Sequence, residues 1–589
     1  MERWVLLHKG ADFDALSEKF HISRRLVSLI RNRNVIGEKA VEQYLHGTIL
    51  DLHDGMLLKD ADKAVDLLKE KIAEQKKIRV IGDYDIDGVN ATYILLEGLE
   101  GLGADVDYDI PNRMTDGYGI SEELIERAAE AKVDTIITCD NGIAAKKEIA
   151  YAKELGMTVI VTDHHEVPYE ETEDAENKRT YILPPANAVI DPKQPDCNYP
   201  FEGICGATVA YKLMEALYES SGRDADDIDY LIENVALATI GDVMDLEDEN
   251  RILVKEGLEM LKRTSNPGLR SLMECTGINK ESLSPYHVGF VIGPCLNAGG
   301  RLDTAKRALE LLRAKDKKDA DILAGDLKAL NDSRKELTAK AVKEAVACVE
   351  NENMKKDPVL VIYLPDCHES LAGIVAGKVR EKYYKPVFVI TDAKEGAKGS
   401  GRSIEAYHMY ENLHNCDNLL DKYGGHKMAA GLSLPVENID KLRKRLNEQC
   451  TLTAEELTEK VTIDMVLPFS EITFDFIEEL KMLEPFGKGN TKPVFAERNL
   501  KIQRARVLGR ERNVLKLHLE DVSKHTMEAI YFGDVEQFFD FLRSKYGNQE
   551  VEALLAGSRS NMTIYATYYP EINSYMGRKT LQIVMTHYQ

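Results

Sequence analysis

Apolar positions follow two different periods along this chain. From residue 78 a short apolar run, IRVIG (78–82), gives way to helical spacing in VNATYILLEGLEGLG (89–103) and then to the strand-like ADVDYDI (104–110). The alternation continues. SEELIERAAEAK (121–132) is helical and opens on a capping serine, DTIITC (134–139) is a strand, AAKKEIAYAKELG (144–156) a helix and MTVIVT (157–162) a strand. Strands alternating with helices of about 12 residues predict a parallel sheet covered on both faces. Residues 1–72 carry polar helical patterning, which continues in ADKAVDLLKEKIAEQ (61–75), and 200–345 is mostly helical. DPVLVIYLP (357–365), LAGIVAGKVREKYY (371–384) and PVFVIT (386–391) again give strand, helix, strand. From near 460 short β-rich runs separated by turn residues, among them VLKLHLED, MEAIYFG and KTLQIVMTHY, predict a small barrel or sandwich.

The 589 residues correspond to about four domains. With 44% hydrophobic and 30% charged residues the chain is of globular composition, which excludes disorder, collagen and coiled coil for its bulk. The formal net charge of −24 rules out binding nucleic acid or an anionic membrane through the overall field, so any polyanion site has to be local. No run approaches the length of a membrane span and no leader pattern opens the sequence. Nine scattered cysteines without a CxxC pair are expected as reduced thiols, which points to the cytoplasm and to no zinc site.

The acidic residues change the picture most. Asp83, Asp85 and Asp87 follow the strand IRVIG in GDYDIDG, Asp140 follows DTIITC in DNG, and Asp163, His164 and His165 follow MTVIVT. Ligands of an open parallel sheet bind outside the carboxyl ends of its strands, and here three strands deliver acids to that edge. If Asp83–Asp87 stays extended, its alternate residues converge on one side. Close carboxylates repel unless cations neutralise them, and oxygen ligands with imidazole suit Mn2+ or Mg2+. A calcium EF-hand is excluded because position 94, where the closing Glu would stand, is Ile. Taken singly, DNG is an ordinary turn and a His pair an ordinary surface feature; the joint occurrence at three strand ends carries the metal reading.

GDYDIDG, IPNR with GYG, DNG and DHH occur in the order and at the spacing of the DHH phosphoesterases. GPCLNAGGRLDTA, HESLAGIVAGKV, GSGRS, GGHKMAAG and EPFGKGN narrow the resemblance to the RecJ exonucleases, a family of DHH/DHHA1 phosphoesterases, over residues 75–500. The resemblance implies an α/β multidomain chain: an N-terminal helical segment (1–72), a parallel-sheet DHH catalytic domain (73–270), a helical connector (271–345), an α/β DHHA1 domain (346–455) and a C-terminal β-barrel OB-fold (456–589). It implies two Mn2+ or Mg2+ ions held by Asp83, Asp85, Asp87, Asp140, His164 and Asp242, with Asp85 or Asp140 bridging. Asp85, Asp140 and His165 are the implied catalytic groups, His165 standing at a ligand or phosphate, and Asp163 is expected to orient the histidines.

The later motifs supply opposite charge. Gly399–Ser403 combines glycines that bare backbone N–H groups with a hydroxyl and a guanidinium, and Gly424-Gly425-His426 repeats the pattern with an imidazole. By resemblance, Arg113, Arg301, His368, Ser400, Gly401, Arg402, Gly425 and His426 contact substrate. Arg504, Arg506, Arg510 and Arg512, in a stretch with a single acid, form a nucleic-acid track on the barrel. Two positions depart from the family pattern: Cys295 stands for an arginine, and Cys367-His368-Glu369-Ser370 for Trp-His-Pro-Gly. The implied activity is a metal-dependent exonuclease on single-stranded DNA, 5′ to 3′, in recombination and repair, with single-strand-binding protein as a partner and no membrane. Two alternatives stand beside it: a phosphodiesterase of short oligoribonucleotides or cyclic dinucleotides, and an inactive DNA-binding scaffold. The complete acid and histidine set argues against the scaffold.

Overall fold

The runs IRVIG, DTIITC and MTVIVT become the centre of a five-stranded, all-parallel sheet. Its spatial order is Asp105–Asp109, Lys77–Gly82, Thr135–Cys139, Thr158–Thr162 and Ala188–Ile190, that is 2-1-3-4-5 in chain order. Thr135–Cys139 is buried throughout because both faces are covered. Helices Glu122–Glu130 and Lys146–Glu154 seal one face through Leu124, Ile125, Ala128, Ile149 and Ala152. Helix Ile86–Gly101, backed by Gly206–Ser220 and Ile232–Gly241, covers the other. The three-residue fifth strand is too short to stand out in the apolar pattern.

The computed structural model describes residues 2–112, 119–171, 179–351, 354–558, 560–575 and 577–589. They fall into two compact units, one formed by 52–244 with 252–459, the other by 2–51, 245–251 and 460–589.

In the first unit the 35-residue helix Lys317–Asn351, about 52 Å long at 1.5 Å per residue, leads to a second sheet. That sheet runs Lys422–Gly425, Ala429–Leu434, Ala397–Arg402, Val387–Asp392, Leu360–Tyr363, with only the last pair parallel. GSGRS is therefore not an anion-cradling loop. Its first four residues lie in a strand paired on both sides, with Ser400 facing Val389 and Gly431.

In the second unit five strands close into a ring: Phe495–Leu508, Val514–Glu520, Thr526–Tyr531, Arg578–Tyr588, Thr563–Tyr575 and back to the first. Helices Val535–Tyr546 and Asn548–Leu555 connect Thr526–Tyr531 to Thr563–Tyr575. The start of the chain belongs here. Arg3–Leu6 pairs in parallel with Lys460–Ile463, and Leu26, Leu29 and Ile30 share a core with Leu480, Leu483 and Phe495. Arg251 lies over the Tyr44 ring at 3.8 Å and donates to the carbonyls of Tyr44, Met482, Leu483 and Glu484. The segment 1–72 is thus divided: 2–51 joins the barrel, whereas helix Ala61–Ala73 lies in the first unit. All nine cysteines are free, and among the described residues no helix is long and apolar enough to cross a membrane.

Candidate metal centre and phosphate cavity

A 2-1-3-4-5 sheet reverses its winding between the first and third strands, which is where such sheets bind ligands. Asp83 leaves the first of these strands and Asp140 the third. Asp85 is the N-cap of helix Ile86–Gly101; its Oδ1 accepts the N–H groups of Asp87 (2.9 Å) and Gly88 (3.1 Å). Asp83, Asp85 and Asp87 are thus a strand end, a cap and a first helical turn, not alternate residues of an extended segment. They converge because the chain turns into the helix. Asp87 is fully buried, and its two oxygens accept the N–H groups of Gly206 and Ala207, each at 2.7 Å. Those amides open helix Gly206–Ser220, whose positive end favours a carboxylate.

Asp140 adopts a left-handed conformation, φ 59, which a short polar side chain tolerates. Its N–H donates to the Thr162 carbonyl at 3.1 Å, and Gly142 follows with φ 112, where a Cβ would strike Thr138 Oγ1. DNG is a turn, and the turn aims Asp140. His164 Nε2 lies 3.1 Å from Asp140 Oδ1, 3.5 Å from Asp87 Oδ2 and 3.9 Å from Asp242 Oδ2. His165 Nδ1 is 2.7 Å from Asp163 Oδ1, which also accepts the N–H groups of His164 (2.8 Å) and His165 (3.2 Å). Asp163 Oδ2 accepts from Ile143 N at 2.9 Å, so this carboxylate orients both histidines. Three overlapping sets have ligand atoms within 4.8 Å of one another: Asp83, Asp85, Asp140; Asp87, His164, Asp242; and Asp140, His164, His165.

Burial and neighbouring carboxylates push Asp83 and Asp140 well above the usual carboxylate range, Asp87 to about 6 and Asp242 to about 8. Burial lowers His164 to about 3, which keeps its imidazole neutral and a lone pair available. His165 is raised to about 9, because the bond and charge of Asp163 outweigh burial. Such a crowd of carboxyl groups favours an added cation, and Asp83 Oδ1 is buried with no hydrogen-bond partner among the described residues. Hard oxygens with neutral imidazole fit Mn2+ or Mg2+. The adjoining Cys139 thiol is pushed up to about 12 by burial, so it stays protonated and is a poor ligand.

In the same unit a cavity of about 540 Å³ is lined by Tyr84, Arg301, Ser370, Lys398, Ser400 and Arg402 among others. Arg301 Nη1 donates to the Ser370 carbonyl at 2.9 Å, and Arg402 Nη1 to the Gly401 carbonyl at 2.8 Å. Two glycines permit the approach. A Cβ on Gly300 would lie 2.6 Å from the Tyr84 carbonyl, and one on Gly373 2.8 Å from Arg402 Nη2. Lys398, Ser400 and Arg402 alternate along one strand and share a face.

Several expected contacts fall elsewhere. Gly401 faces the opposite side of the sheet, where a Cβ would meet Met409 Sδ and Phe388. Gly425 and His426 do not line the cavity. They make an edge turn in which His426 N donates to the Ala429 carbonyl at 2.9 Å. His368 caps the turn Glu369–Leu371, its Nδ1 2.7 Å from Ser370 Oγ, and does not line the cavity either. Arg113 lies outside the described residues. Arg504 and Arg506 are exposed on a barrel strand opposite His518 and Lys516, and Arg510 and Arg512 sit in the exposed turn that follows. The sequence reading missed Tyr84 and the amides of Gly206 and Ala207, and took Lys398 only as one charge of a basic stretch. A period-two pattern in AKGSGR marks Lys398 once the segment is taken as a strand.

Family models match three stretches: the DHH family N-terminal domain at residues 77–240, the DHHA1 domain at 356–452 and the RecJ OB domain at 463–587. A Bacillus subtilis single-stranded-DNA-specific exonuclease RecJ is 36% identical over 526 residues, covering 88% of this chain and 64% of that protein. The Dickeya dadantii RecJ is 32% identical over 579 residues, covering 94% of this chain and 95% of that protein. The crystal structure of Thermus thermophilus RecJ in complex with Mn2+ superposes with a TM-score of 0.80 at 27% identity, over all of this chain and 79% of that one.

Proposed function

The chain belongs to the RecJ family, and on that premise we propose that it is a metal-dependent exonuclease specific for single-stranded DNA. One observation carries the reading: an acid and histidine cluster at the strand ends shares a unit with a cavity lined by Arg301, Lys398 and Arg402, with Glu369 beside Lys398 at 3.0 Å. In this reading Asp83, Asp85, Asp87, Asp140, His164 and Asp242 hold two Mn2+ or Mg2+ ions. When bound, such ions supply Lewis acidity toward water and toward the oxygens of the scissile phosphate. The protein residues do the rest. Asp163 fixes the His165 ring and the His164 backbone, the amides of Gly206 and Ala207 fix Asp87, and His165 faces the phosphate. Arg301, Lys398, Ser400 and Arg402 offset phosphate charge in the cavity.

Removal of nucleotides runs 5′ to 3′ in this proposal, the enzyme works in the cytoplasm in recombination and repair, and single-strand-binding protein meets it on the shared strand. The proposed catalytic domain, 73–270, and substrate-binding domain, 346–455, are each built around one of the two sheets. Arg504, Arg506, Arg510 and Arg512 make the track for the incoming strand. The test is a cleavage time course with Mn2+ on end-labelled single-stranded DNA, the same sequence as RNA, blunt duplex, and duplexes with a 5′ or a 3′ overhang. Selective loss of single-stranded DNA from its 5′ end, abolished by EDTA, is expected. No turnover of any long strand would replace this reading with that of a short-oligonucleotide phosphodiesterase.

A further inference from the structure

On a turn packed against two helices that carry metal-cluster residues, the surface holds an aromatic pair that the proposed chemistry leaves unused. Tyr286 and Phe290 are 64% and 67% exposed, with ring centroids 5.0 Å apart and planes 28° from parallel. Two large rings left in water together are unusual, because each forgoes the burial that aromatic side chains normally gain. The backbone beneath them is unusual as well. Residues Val288–Ile292 form a π-helical turn, a form that tends to mark functional sites.

This turn rests on the metal cluster's own scaffold. A Cβ on Gly289 would meet Ile240 at 3.7 Å, and one on Gly293 would meet Ile86 at 3.2 Å. Ile86 separates Asp85 from Asp87, and Ile240 lies two residues before Asp242. A third signal comes from Val243, directly after Asp242. It is 59% exposed and holds φ 59, a true outlier for a β-branched residue and the kind of strain that persists at functional positions.

We propose that Tyr286 and Phe290 form a stacking platform for one nucleobase of the single strand, the base that flanks the scissile phosphate. The inference rests on the exonuclease reading and deepens it. A phosphodiester at Asp242 would sit at the end of the helix against which this turn packs, and every base has a π face that an aromatic ring can receive without regard to sequence. A protein partner fits less well. Three side chains fall far short of the roughly 1,000 Å² that a specific protein interface buries.

The test is a matrix of enzyme against substrate. The substrates are a single-stranded oligonucleotide and four versions in which each of the first four nucleotides in turn is abasic. The enzymes are the wild type, Tyr286→Ala, Phe290→Ala and Phe290→Trp. For the wild type, kcat/KM should fall about tenfold at one abasic position, the size expected for a lost base–ring stack. The alanine variants should show that loss on the intact strand, mostly in KM, and no further loss at that position; Phe290→Trp should recover it. Alanine variants that cleave all five strands like the wild type, or that lose the same factor on every strand, overturn the platform. A wild type inactive on every strand overturns the exonuclease reading itself, and the platform with it. Because both rings are exposed, the alanine variants should melt as the wild type does, which separates stacking from folding.

Discussion

Asp163 shows how a residue that need touch no ion can govern the site. Three of its hydrogen bonds run to His164 and His165 and a fourth to Ile143 N. Burial alone would raise its carboxyl, but the hydrogen bond and charge of His165 hold it lowered, so it remains an anion. Asp163→Asn keeps the shape and removes the charge that fixes the His165 ring. The expected result is a loss of about 10–100-fold in Mn2+ affinity, the usual effect of removing such an orienting partner. Calorimetric Mn2+ titration checks it, and unchanged affinity would show that the histidines hold their orientation without it. At this scale the sequence was informative for a physical reason. Acids and histidines at three successive strand ends stand out in a sequence, and the family resemblance added Asp242; the structure brings Asp83, Asp85, Asp87, Asp140, His164 and Asp242 together in overlapping sets. Tyr84 and the Gly206 and Ala207 amides escaped because a carbonyl or an N–H belongs to every residue type and leaves no mark on composition.

Elements place these groups, and two helices do so under opposite constraints. Helix Ala372–Tyr383 begins against the cationic strand, with Gly373 where a Cβ would crowd Arg402 Nη2 and Ser400 Oγ (2.9 Å). Gly373→Ala is expected to raise KM several-fold through displaced Arg402 while Mn2+ binding stays unchanged; a change in Mn2+ affinity would refute this division of labour. Helix Ile232–Gly241, which ends at Asp242, buries Glu233 beside the Thr264 hydroxyl at 2.7 Å. Burial raises its carboxyl to about 7 from 4.5. The folded state then keeps a proton that the unfolded chain releases above 4.5, so this contribution to stability is complete below 4.5 and is lost as pH rises through 7. The full span is of order 3 kcal/mol. Urea midpoints at pH 5 and pH 8 should lie closer together for Glu233→Gln than for the wild type, the remaining separation coming from raised carboxyls such as Asp87 and Asp242, and equal pH dependence in both would exclude Glu233 as a source. The strands of the parallel sheet were legible because burial on both faces leaves continuous apolar runs such as TIITC. Ala397–Arg402 was not, because its glycines make room for Ile390, Phe388 and Met409 and so imitate a loop.

The whole molecule sets −24 of formal charge against the polyanion proposed as its substrate, so binding has to be concentrated. Long-range order was the least legible level. Nothing local in the four residues of Arg3–Leu6 announces a parallel partner at Lys460–Ile463, and the core that joins Leu26 to Leu480 closes only when both ends of the chain have folded. The barrel was visible from its short strands, and its charge pattern carries a consequence for binding. Arg506 stands directly across the ladder from Lys516 and Arg504 from His518, and Arg510 and Arg512 extend the stripe. The like charges of Arg506 and Lys516 placed opposite one another are destabilising, and Lys516 is offset by Glu528 at 2.9 Å. Such a cost is offset when phosphates arrive and release their counterions. Each neutralised phosphate of a single strand contributes about 0.7 to the slope of log K against log[salt]. Replacing all four arginines by alanine should therefore reduce that slope by about 3 for a long single strand. Cleavage of a strand too short to span the barrel should keep its wild-type rate. Fluorescence anisotropy across a salt series measures the first quantity and a single-turnover assay the second. An unaltered slope would remove the stripe from the binding path, and a matching loss on the short strand would place these arginines in the reaction rather than along the track.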